Sequence, residues 1–168
     1  ATFDTKNKNV LLEKNIVSFF ELADFKKNSS NDKEELTKLT SVGPLIYNNS
    51  QKSVKLPHAT TIKNLDFFLS ADQIEFFLNE DNKITLLNAE GNVIVKLIKK
   101  NVSAWCPKAT IDFTEKTYLF VEKDNITPYI EMNGYRQTAA HITYNETTEI
   151  LKAGPEVKSV KIIPEAKE

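Results

Sequence analysis

Glycine is scarce in this chain of 168 residues, and the four present, Gly43, Gly91, Gly134 and Gly154, stand far apart. None opens a G-x-G-x-x-G or P-loop pattern, which argues against a nucleotide enzyme of the usual kinds. Arginine is scarcer still. Arg136 is the only one, the net charge is −1 and no basic stripe runs along the sequence. A dedicated nucleic-acid binder normally presents a basic face, so no nucleic-acid partner is expected. Cys106 is the single cysteine and cannot close an intramolecular disulfide. No apolar run approaches the ~18 residues of a membrane-spanning helix, so no membrane span is expected.

Catalytic and metal-binding constellations are equally thin. Ala104-Trp105-Cys106-Pro107 resembles the stretch before a thioredoxin-like active site, but Ala109 stands where the resolving thiol belongs. Lys108–Phe113 reads as a strand, not as the helix that would lower the thiol's pKa. Cys106 is therefore expected to be a small buried thiol beside a tryptophan at a barrel rim or core edge. His58 and His141 are the only histidines, with no cysteine or carboxylate pair beside them, a poor zinc set. Glu75, Asp112 and Glu131 fall on different expected strands, and an inward-facing carboxylate pair among them is conceivable without being selected by any motif. The expectation is a protein that is not an enzyme and holds no metal or cofactor.

What is present is hydrophobic patterning: 40% of residues are hydrophobic and 27% charged, ordinary for a globular chain. The length suits a single domain over residues 1–168. Leu12, Ile16, Phe19 and Ala23 follow helical spacing, widened by Val17, Phe20 and Phe25, and predict an N-terminal α-helix within a helical lead over 9–39. Its polar side mixes Glu13, Lys14, Glu21 and Asp24, which favours packing against a core over docking on a membrane. From Ser41 the period becomes two. Strands are expected at Val42–Tyr47, Leu65–Ser70, Gln73–Asn79, Lys83–Asn88, Asn92–Ile98, Ala109–Phe113, Thr117–Glu122, Thr127–Met132, Ala139–Tyr144 and Val157–Ile163. Asn133-Gly134 is the strongest hairpin signal, and Glu80–Asn82, Ala89–Gly91 and Lys123–Asn125 read as further turns. Regular strand spacing predicts an antiparallel meander closing into a barrel over 41–163, with a β-sandwich as the alternative and a frayed tail at 164–168.

Some of these strands are apolar on both faces, notably Leu65–Leu69 and Tyr118–Val121, and aromatic residues recur along the meander. Barrels of about eight strands can leave room for one small ligand lined by such residues. A short helical lead followed by an up-and-down antiparallel meander resembles the lipocalin-like (calycin) barrels. That resemblance covers roughly residues 40–163, while the family's Gly-x-Trp marker is absent and Trp105 lies mid-chain. The resemblance implies carriage of a small hydrophobic molecule such as a lipid or fatty acid. The expected lining is Phe67, Phe76, Trp105, Phe113, Phe120, Tyr129, His141 and Tyr144. A non-enzymatic surface or host-interaction module with a solid β core is the alternative. A protein partner is not identified. The chain begins with Ala1, as signal-peptide removal would leave it, so a secreted or periplasmic location is expected. The Asn/Lys-heavy composition suits an AT-rich bacterial source. Five Asn-x-Ser/Thr matches, at Asn28, Asn48, Asn101, Asn125 and Asn145, are then chance products of composition.

Overall fold

The computed structural model describes residues 2–4, 9–20 and 37–162, and every regular element among them is a β-strand. Hairpins succeed one another along the chain. β1 (Thr2–Asp4) pairs with β2 (Asn9–Leu12), and β3 (Ile16–Phe20) with β4 (Thr37–Ser41). β5 (Leu45–Asn48) pairs with β6 (Ser53–Leu56), and β7 (Thr60–Lys63) with β8 (Phe67–Ala71). Then come β9 (Gln73–Leu78), the two long strands β10 (Ile84–Leu97) and β11 (Val102–Asp112), and β12 (Thr117–Val121). β13 (Tyr129–Met132) pairs with β14 (Tyr135–Thr138), and β15 (His141–Asn145) with β16 (Ile150–Ala153), while β17 (Lys158–Lys161) lies against β14.

Each hairpin pairs with the next but one. β2 bonds to β5 and β6 to β9, whereas β4 bonds to β7; every ladder is antiparallel. The chain therefore alternates between two layers. β10 and β11 belong to both: Ile84–Glu90 pairs with β9 and Ile94–Leu97 with β8, while Lys108–Asp112 pairs with β12 and Val102–Trp105 with β13. A bulge between Glu90 and Val93 lets β10 cross, with Gly91 at φ 76° and Asn92 at φ 45°. Pro107 falls opposite this bulge, where no ladder N–H is required of it. The other corners stack beside it along one spine. Asp72 N–H donates to Gly91 O at 2.9 Å, Glu122 N–H to Ala140 O at 2.8 Å, and Gly154 N–H to His141 O at 2.8 Å.

Alternation sends every second side chain inward. In the first layer, register aligns Val10, Tyr47, Val54, Phe76, Leu87, Ile111, Tyr118, Tyr144 and Leu151 in one cross-strand row. A parallel row runs Leu56, Ile74, Ala89, Ala109, Phe120, Ile142 and Ala153. The second layer answers with Leu39, Ile62, Leu69, Val95, Ala104 and Ile130. These rows bury a single hydrophobic cluster between the layers.

Two expectations are overturned. No helix occurs among the described residues: 9–12 and 16–20 are strands, as is 37–41, and Ala23 and Phe25 lie outside the described residues. The helical spacing arises because a corner interrupts the alternation. Lys14 and Asn15, at φ 59° and 49°, turn the chain between layers. Inward Leu12 and inward Ile16 thus end up four residues apart although each sits on a strand. The sheet also does not close into a barrel. Its layers are hydrogen-bonded through the shared strands and spine, and no ladder joins their opposite ends among the described residues. The notion of a small ligand inside a closed barrel goes with it.

Candidate functional site

The feature with functional promise is the apolar seam between the layers, together with the rim where the layers meet without pairing. Hairpin turns carry that rim. The 98–101 turn ends the second-layer stretch of β10, and the 113–116 and 146–149 turns end first-layer strands. Side-chain contacts between described residues cross it. Phe67, at the start of β8, meets Phe113, just past β11, edge to face with centroids 6.2 Å apart. Lys100 Nζ pairs with Glu149 Oε1 at 2.5 Å, a bond that raises the lysine's pKa. Beneath this pair, Tyr118 donates its hydroxyl to Glu146 Oε2 at 2.8 Å, and its ring lies 6.2 Å from that of buried Tyr144. Burial pushes the pKa of both tyrosines upward.

The eight residues nominated from sequence divide in two. Phe67, Phe76, Phe113, Phe120 and Tyr144 are buried in the seam, each exposing 4% or less, so they are tightly covered. Trp105, Tyr129 and His141 point outward. Trp105 and Tyr129 are cross-strand partners whose rings stack at 5.8 Å, with the Arg136 guanidinium 4.4 Å above Tyr129. His141 is exposed at the spine, its ring lying where a Cβ on Gly154 would stand, 2.1 Å from Cε1. His58 covers Gly43 in the same way. The seam's remaining walls, notably Leu87, Ile111 and Tyr118, were missed as lining residues. Their signal was alternation within β10–β12.

Other chemistry is dispersed. Burial pushes the Cys106 thiol up to about 12, far from a reactive thiolate. Glu75 and Asp112 sit on the outer face of the first layer and Glu131 on that of the second, so they form no inward pair. Glu90 is held below the usual carboxylate range, first by its bond to Lys123. No group of three or more potential metal ligands occurs among the described residues. No described helix is long and apolar enough to cross a membrane. Grooves between described residues mark the outside. One of about 450 Å³ lies by the 98–101 and 133–134 turns, lined by Ile98, Val102, Met132 and Ile162 among others. A polar one of about 300 Å³ is bordered by Lys55, Glu75, Asn88 and Lys108.

No family model matches the chain, and no curated protein matches it. Among solved structures it is similar to the crystal structure of LptH, described as the LptA-homologous periplasmic component of the conserved lipopolysaccharide transport device from Pseudomonas aeruginosa. The TM-score is 0.67 at 12% identity, covering 79% of this chain and 99% of that one. The likeness shows a shared fold.

Proposed function

We propose that the chain is a non-enzymatic, periplasmic carrier that takes the acyl portion of a lipid or similar amphiphile between its two layers. The observation that carries this reading is the continuity of the apolar rows. The row from Val10 to Leu151 crosses nine strands, roughly 40 Å at ordinary strand spacing. That suits an elongated amphiphile better than a compact small molecule. Layers that share ladders only along the spine among the described residues can part at the rim without breaking one, exchanging packed side chains for acyl chain at little net loss of apolar contact. The fold it shares with a component of a lipopolysaccharide transport device supports the same reading. In the closed form the seam is filled, so binding requires the rim to open.

The test is native mass spectrometry of the protein as purified, followed by titration with an anilinonaphthalene-sulfonate probe. Co-purified lipid, displaced by saturable probe binding, is expected. A clean apo mass with no saturable binding contradicts the carrier reading. The full burial of Phe67, Phe76 and Phe120 favours a second reading, a solid-cored interaction module, which that outcome would select.

A further inference from the structure

Among the described strands the two outer faces differ in charge, although the chain as a whole is nearly neutral. On the first layer, outward Lys55, Lys108 and Lys152 are matched by Glu75, Glu90 and Asp112. On the second, register places Lys38, Lys63, Lys96 and Arg136 in one cross-strand row, with Lys158 on the neighbouring row. Glu131 is the one carboxylate that the described strands add to this face, and Arg136 already holds it at 2.5 Å.

Apolar and aromatic groups are interleaved with these cations. Lys96 Nζ lies 5.8 Å over the Phe68 ring, and Trp105 stacks on Tyr129. Val17 and Val160 are more than half exposed, and Ile94 stands beside Trp105 at 36% exposure. A soluble polyanion needs the charges but not the aliphatic groups. An anionic bilayer surface uses both, since lysine and arginine meet lipid phosphates while aromatic and aliphatic groups settle at the headgroup boundary. We infer that the outer face of the second layer docks on the surface of an anionic lipid bilayer. The claim stands on this outer face alone and does not depend on what the seam carries.

Vesicle co-sedimentation tests it, using phosphatidylcholine vesicles with and without phosphatidylglycerol. Binding is expected only with the anionic lipid, weakening as salt rises. Trp105 is the sole tryptophan, so its emission reports on this face directly and should shift to the blue. Lys63→Gln, Lys96→Gln and Lys158→Gln together should weaken binding on the order of a hundredfold, and each alone about fivefold. Lys55→Gln, Lys108→Gln and Lys152→Gln on the opposite face should leave it unchanged. Absence of vesicle binding, equal losses from the two triple variants, or an unmoved Trp105 emission would each overturn the inference. So would capture by a soluble polyanion with no response to vesicles, which assigns the face to a different partner.

Discussion

Phe76, Phe113 and Phe120 measure how full the seam is. Each is nearly inaccessible, so Phe→Ala at any of them is expected to cost the ~3–5 kcal/mol of a packed core site, read from the denaturation midpoint. A loss below about 1 kcal/mol at all three would mean a seam already open. Cys106 and Tyr118 should make the fold less stable at alkaline pH. Both pKa values are raised by burial, so the folded state favours the neutral forms. Their contribution is complete below the pKa that each group has in the unfolded chain. It is lost as pH climbs towards the folded value, for Cys106 between about 9 and about 12. Cys106→Ala should therefore flatten the fall in unfolding free energy over that interval, roughly 1.4 kcal/mol per pH unit per group. An unchanged slope would show that the thiol is not desolvated.

Glycine positions separate two contributions to the strand connections. Gly91 and Gly134 share positive φ, 76° and 77°, but a Cβ at Gly91 would lie 2.8 Å from the Cβ of Asp72, whereas at Gly134 it meets nothing. Gly134→Ala should cost about 1 kcal/mol of backbone strain, and Gly91→Ala clearly more, because the spine must shift as well. Equal thermal losses would place no close packing at the crossing of β10. These corners also explain what was legible in the sequence. β9 and the second half of β11 stood out because Ile74 with Phe76, and Ile111 with Phe113, flank a polar residue, whereas Val102–Lys108, the first half of β11, was not expected as strand. The Asn133-Gly134 turn was equally plain. Short strands such as Ser53–Leu56, Thr60–Lys63 and Tyr135–Thr138 carried too few alternations to register. Ala89–Gly91 read as a hairpin because a left-handed glycine marks a turn, yet here it bends a continuous strand. Of the eight residues nominated as lining, five lie in the seam and three face outward. Alternation separates one face from the other but does not say which faces the core, so Trp105 and Tyr129 were placed inside when they lie outside. The basic face was invisible because its cations come from separate strands between Lys38 and Lys158.

At the scale of the whole molecule, the proposed carriage of lipid requires one motion, the parting of the two layers along the spine. Phe67 with Phe113 and Lys100 with Glu149 are the contacts to be broken. An exposed ion pair is a weak fastening, so salt alone should change lipid uptake only slightly. A covalent bridge is a different matter. The most direct measurement takes Lys100→Cys with Glu149→Cys, joins the two thiols by a short reducible bis-methanethiosulfonate linker, and titrates the apolar probe before and after reduction. Cys106 is buried and should not react. The bridged protein is expected to bind no probe, and reduction to restore saturable binding. Equal binding by the bridged and reduced forms would contradict the proposed parting of the layers.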